Sequence, residues 1–91
     1  MKIVVDPADP VFEGHYPGFP ILPGLFLLEH VLTAVRRPGL TFVGLDRARF
    51  ARPVRPGDVL SVDAAWDGCL CSASVSTADG AVADFRLRYT S

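Results

Sequence analysis

Polar and apolar residues alternate one for one through the last third of this chain. Ser72, Ser74 and Ser76 interleave with Ala73, Val75 and Thr77, while Val82, Asp84, Arg86 and Arg88 interleave with Ala83, Phe85, Leu87 and Tyr89. A period of two sends successive side chains to opposite faces, so each segment predicts a strand with one dry and one wet face. Four strands are predicted, over 41–50, 59–66, 70–77 and 81–89, with a short fifth over 2–5. Turn chemistry separates them: Pro56-Gly57 suits the centre of a type II turn, and Asp67-Gly68 and Asp79-Gly80 suit hairpins. Asp6-Pro7 and Asp9-Pro10 stop the first strand. A proline-stiffened loop follows, with one helical turn expected around 12–15.

A different pattern begins at Pro23-Gly24. This pair suits the opening of a helix, because a first-turn proline gives up an N–H that has no helical partner. The helix is predicted over 25–37, stopped by Pro38-Gly39. Leu25, Phe26, Leu27, Leu28, Val31, Leu32, Ala34 and Val35 leave it almost no polar face, which predicts a helix buried all round. Glu29, His30 and Thr33 are the exceptions; His30 reads as an interface or partly exposed side chain, and Glu29 and Thr33, four apart, share one stripe. The predicted fold is α+β: a single domain, residues 1–91, in which an antiparallel sheet curls around one buried helix.

Composition adds an expectation about assembly. Of 91 residues, 49% are hydrophobic, more than one small core can hide, which predicts a homo-oligomer. No apolar run approaches the roughly 20 residues that span a bilayer. The first residues lack the apolar core of a signal peptide, so a cytoplasmic protein without membrane contact is expected. A net charge of −1 gives no general affinity for nucleic acid. Yet Arg36, Arg37, Arg47, Arg49, Arg52 and Arg55 crowd the middle of the chain. They read either as a solvated face with ordinary ion pairs, or as a docking patch for an acidic partner or a phosphate-bearing substrate arm. Cys69 and Cys71 would face the same way on a strand. A disulfide between them would be strained and no histidine stands near to complete a metal site, so they read as small apolar fillers.

The candidate chemistry is concentrated in Gly14-His15-Tyr16-Pro17-Gly18-Phe19-Pro20-Ile21-Leu22-Pro23-Gly24 and the helix that follows. A rigid loop presents a histidine, a group that titrates near neutrality. A carboxylate, Glu29, is expected among Leu25, Leu28 and Leu32, where lost hydration favours the neutral acid. This pairing suits general acid–base catalysis on a substrate with one proton to lose and one leaving group to protonate. Taken singly, His15 also fits a histidine capping a loop carbonyl, and Glu29 one half of a buried ion pair.

Two blocks carry a family resemblance. Gly14-His15-Tyr16-Pro17-x-x-Pro20-Ile21-x-Pro23-Gly24-x-x-x-x-Glu29 resembles the active-site signature of the hotdog-fold β-hydroxyacyl-acyl-carrier-protein dehydratases. Ala48-Arg49-Phe50-x-Arg52-Pro53-Val54-x-Pro56-Gly57-Asp58 resembles the strand–turn–strand that follows in the same family, so the similarity covers most of the chain. The resemblance implies the hotdog fold, a curved antiparallel sheet wrapped around a central helix and dimerised edge to edge. It implies His15 as catalytic base, Glu29 as catalytic acid and the Gly24 N–H as donor to a thioester carbonyl, with His and Glu meeting from opposite subunits. Tyr16 stands where phenylalanine is common and Thr33 where glutamine is common, which marks both as substrate-facing positions. Arg36, Arg37, Arg49 and Arg52 become candidate carrier-docking residues. The chain is shorter than usual members and resembles them from an internal strand onward.

The implied activity is dehydration of a 3-hydroxyacyl thioester, held on the phosphopantetheine arm of an acyl carrier protein, to the trans-2-enoyl thioester. It belongs to fatty-acid or polyketide-type biosynthesis and implies no metal or redox cofactor. An alternative is a non-catalytic or partner-dependent hotdog subunit of a heterodimeric dehydratase. Hydrolysis by a hotdog thioesterase is a third reading, to which the Gly-His-x-Pro block does not point.

Overall fold

Turn residues set the strand boundaries. The computed structural model describes residues 1–6 and 24–91; the helical turn expected around 12–15 lies outside them. In chain order come β1 (Lys2–Val4), α1 (Gly24–Ala34), β2 (Thr41–Phe50), β3 (Val59–Asp67), β4 (Leu70–Thr77) and β5 (Gly80–Thr90). The five strands form one antiparallel sheet in the order β1-β3-β4-β5-β2. β1 and β2 hold opposite edges, and between them the chain sends α1 over the inner face.

Gly57, at φ 85°, provides the left-handed position of the turn before β3. Asp58 N–H donates to the Arg55 carbonyl at 3.1 Å and Asp58 Oδ2 accepts from Arg55 N–H at 2.9 Å, closing it. In the β3–β4 hairpin Asp67 pairs with Leu70, so the two-residue loop is Gly68-Cys69, one residue later than the Asp-Gly signal suggests. Gly68, at φ 60°, takes the first central position, where that hairpin type requires glycine. In β4–β5, Thr77 pairs with Gly80, and the loop is Ala78-Asp79.

The alternation holds in β4 and β5: Ala73, Val75, Phe85, Leu87 and Tyr89 are buried, while Ser72, Ser74, Asp84, Arg86 and Arg88 are exposed. It breaks at Val82-Ala83, both buried. There Val75 pairs with Ala83 and Ser76 with Ala81, leaving Val82 as a β-bulge. The freed Val82 carbonyl accepts from Ala51 N–H at 2.7 Å and Arg52 N–H at 3.2 Å, which ties the segment after β2 to β5.

Two expectations for the helix are corrected. α1 has one buried stripe, Leu27 and Val31, continued by Val35 just past its end, with Phe26, Leu28 and Leu32 half-buried beside it and Glu29 and Thr33 exposed. A single sheet covers one side of a helix, so apolar residues elsewhere on α1 await another layer. The helix also ends at Ala34 rather than Arg37, because Pro38 disfavours helical backbone at the residue before it. Leu40 N–H then donates to the Arg37 carbonyl at 3.2 Å, in a turn whose Gly39 has φ 82°. The cysteines differ from expectation as well: Cys71 is a buried filler on β4, but Cys69 sits exposed in the hairpin loop, and both are free.

Candidate active site

Gly24 is the first residue of α1, so its N–H has no helical acceptor and stands at the positive end of the helix dipole. A Cβ at Gly24 would lie 2.8 Å from Phe50 Cζ and 3.1 Å from Cε1. Phe50, the last residue of β2, therefore closes directly on the helix start. Its ring is held edge-on against Phe85, with centroids 5.6 Å apart and planes at 79°.

Glu29 lies five residues further on, about 7.5 Å along the helix axis. It is exposed, not enclosed by leucines as the sequence suggests. Two residues from both Leu27 and Val31, it points to the opposite side of the helix from the buried stripe, at 100° per residue. Only something that covers this outer face of α1 can desolvate the carboxylate. Thr33 Oγ1 donates to the Glu29 backbone carbonyl at 3.1 Å. The short hydroxyl is thus spent on the preceding turn rather than on the acid, a common choice for a helical threonine. His15 and Tyr16 lie outside the described residues.

The four candidate arginines divide into two groups. Arg49 faces Asp84 across the β2–β5 ladder. Arg52 Nη2 lies 3.8 Å from the position of a Cβ on Gly80, beside an open pocket of about 330 Å³ shared with Arg55, Asp58 and Thr77. Both flank Phe50 and so gather at the Gly24 end of α1. Arg36 and Arg37 follow its other end, roughly 15 Å away along the axis. Arg37 stacks on Trp66 at 5.1 Å from the ring centroid, and Arg36 borders a pocket with Leu32, Thr33, Phe42 and Tyr89. The arginines, read either as a solvated face or as a docking patch, fall at two separate ends, and at the first of them Asp58, Asp79 and Asp84 lie among them.

Sequence reasoning assigned no role to Phe50, although it stands inside the second matched block; its signal was there without a contact to interpret it. Burial pushes the Cys71 thiol up, against the pull of the Arg37 charge. The same burial, with Cys71 nearby, raises the Tyr89 phenol. Among the described residues no cluster of His, Cys, Asp or Glu is placed to hold a metal ion. None of their helices is long and apolar enough to cross a membrane.

A family model described as ApeI-like, ApeI dehydratase, matches residues 1–84. The chain belongs to the ApeI-like family. This ApeI-like chain is 45% identical over 65 residues to the 3-hydroxyacyl-[acyl-carrier-protein] dehydratase FabZ of Symbiobacterium thermophilum, a match covering 60% of this chain and 46% of that protein. It spans about half the length of the curated relatives it matches. Among solved structures, the dehydratase heterocomplex ApeI:P from Xenorhabdus doucetiae superposes with a TM-score of 0.85 at 24% identity, covering 99% of this chain and 84% of that one. A hexameric hotdog fold thioesterase of Campylobacter jejuni superposes at 0.72 with 20% identity, covering 100% and 80%. The ApeI-like chain has the hotdog fold, as its motifs led us to expect.

Proposed function

We propose that this chain dehydrates 3-hydroxyacyl thioesters, delivered on the phosphopantetheine arm of an acyl carrier protein, to trans-2-enoyl thioesters. The observation that carries the reading is the order of groups along α1: an N–H without a helical acceptor at Gly24, then a solvent-facing carboxyl at Glu29. The family match and the identity to FabZ sequences support it.

The C2–H of a thioester is a weak acid, so negative charge grows on the carbonyl oxygen as His15 removes the proton. The Gly24 N–H, backed by the helix dipole, is a fixed donor for that oxygen. Hydroxide is a poor leaving group, and Glu29 supplies the proton that lets it depart as water. The proton taken from C2 and the one given to the departing hydroxyl accompany C3–O cleavage and C2–C3 double-bond formation, with no net redox change, so the proposal calls for no metal or redox cofactor. Arg49 and Arg52, at the Gly24 end, are the better placed of the four arginines to meet an anionic arm or carrier. The expected setting is the cytoplasm.

The site needs a second chain. Glu29 is exposed on the face of α1 turned away from the sheet, and β2 is a sheet edge whose Val43 and Leu45 are 54% and 43% exposed. A homodimer joined along this edge would cover both. A second reading, a subunit that works only beside a different hotdog chain, is favoured by the shared fold with a dehydratase heterocomplex.

The test is dehydration, and its reverse, on 3-hydroxyacyl- and trans-2-enoyl-carrier thioesters followed by mass spectrometry. Wild type should turn over, and His15→Ala and Glu29→Gln should each lose about 10²- to 10⁴-fold in kcat. A folded dimer inert across chain lengths and carriers would favour the partner-dependent reading.

A further inference from the structure

We propose that Phe50 is a positioning and specificity residue: its ring is the wall against which the acyl thioester lies when its carbonyl meets the Gly24 N–H. The inference rests on the proposed role of Gly24 and adds a residue to that site. The position a Gly24 side chain would fill is already taken by the Phe50 ring, 2.8 Å away at Cζ. The ring is 54% exposed, and its edge-on packing against the buried Phe85 is the contact that sets its tilt. An acceptor bound to the Gly24 N–H would place its nearest substituents beside the outer edge of the ring, which Cζ, Cε1 and Cε2 present to Gly24. In a thioester those are C2 and the sulfur. A bare C2 fits beside that edge, whereas a C2 branch competes with it for the same volume.

The neighbourhood explains what removing the ring would do. Phe50 pairs with Ala83 across the β2–β5 ladder and borders an open pocket of about 380 Å³ that Ala51, Ala81 and Ala83 also line. Three alanines leave room on β5 and the β2 end. Truncating Phe50 would join this space to the helix start and admit bulk at C2.

The experiment compares kcat/KM for straight-chain and 2-methyl-branched 3-hydroxyacyl-pantetheine thioesters in wild type, Phe50→Ala, Phe50→Leu and Phe50→Tyr. A ratio of two substrates is independent of how much enzyme is folded, so a purely structural role cannot move it. Phe50→Ala should raise the branched-to-straight ratio at least about fivefold and lower kcat on the straight chain by roughly 10- to 100-fold, the cost of a loosened reacting group. Phe50→Tyr should keep the wild-type ratio, and Phe50→Leu, which keeps apolar bulk if Phe50→Ala fails to fold, should fall between. The double variant Gly24→Ala/Phe50→Ala, in which a new methyl refills part of the vacated space, should bring the ratio back towards wild type. An unchanged ratio in folded Phe50→Ala or Phe50→Leu overturns the wall while leaving the dehydratase reading intact. A wild type inert on both substrates, whose ¹⁵N-labelled Gly24 amide does not shift on adding crotonyl-pantetheine amide, removes the dehydratase reading and the wall with it.

Discussion

Tyr89 is buried, and its hydroxyl has no hydrogen-bond partner among the described residues. Its ring is well used, edge-on to Phe42 at 5.7 Å and tilted against Trp66 at 4.9 Å. An unsatisfied buried hydroxyl costs about 1–3 kcal/mol, so Tyr89→Phe should leave the Tm unchanged or raise it by a few degrees, measured by differential scanning calorimetry. The same residue predicts an alkaline limit. Burial holds the Cys71 thiol and the Tyr89 phenol above their ordinary values of 9.0 and 10.0. The unfolded chain therefore loses these protons first, and between the ordinary and raised values it binds fewer protons than the fold. The stability these two groups contribute is constant below about pH 9 and is lost as pH rises through the two raised values. In Tyr89→Phe the fall should still begin near pH 9, through Cys71, but be shallower than in the wild type above pH 10. A Tm that declines equally in both proteins to pH 11 would refute the assignment.

At the scale of elements, glycines separate turns that need them from a strand that does not. Gly57 has φ 85°, where a side chain is strained, whereas Gly44 in β2 has neither positive φ nor an atom within 4 Å of a would-be Cβ. Gly57→Ala should cost about 1–2 kcal/mol, a drop of roughly 4–16 °C in Tm for a chain of this size. Gly44→Ala should be neutral or slightly stabilising, because it removes only unfolded-state freedom. These contrasts mirror what was legible beforehand. Period-two alternation and glycine turns mark strands through local physics, and β2 and β4 match their predicted bounds. The helix was misread because Leu25 to Val35 is apolar on nearly every side, and such a pattern records all the layers a helix meets, including those another chain supplies. Glu29 was expected among leucines for the same reason. The two-ended placement of the arginines was invisible, since Arg36 and Arg49 fall in one arginine-rich stretch of sequence and are separated by the run of β2.

Among the described residues, the outer face of α1, which carries Glu29, and the edge of β2 are exposed. A ten-residue edge strand with exposed Val43 and Leu45 is a template for another strand. Placing a charge there should block pairing, so light scattering of Leu45→Glu should show a shift from dimer towards monomer, with dehydratase activity lost in parallel. If each site takes its base from one subunit and its acid from the other, two dead variants can complement. In a mixed dimer of His15→Ala and Glu29→Gln, one site combines both lesions, but the other joins an intact His15 to an intact Glu29. Refolding the two variants together in equal amounts gives mixed dimers for half of the population, each with one live site of two, so activity should recover to roughly a quarter of wild type. No other arrangement gives that result: a site built within one subunit leaves every site in the mixture with one lesion and the mixture as inactive as its parts. An obligate partner of a different chain leaves the mixture silent as well, until that partner is added. Recovery with the single chain would place the two halves of the site on two copies of this protein, where the exposed Glu29 carboxylate gains the cover that its own sheet does not provide.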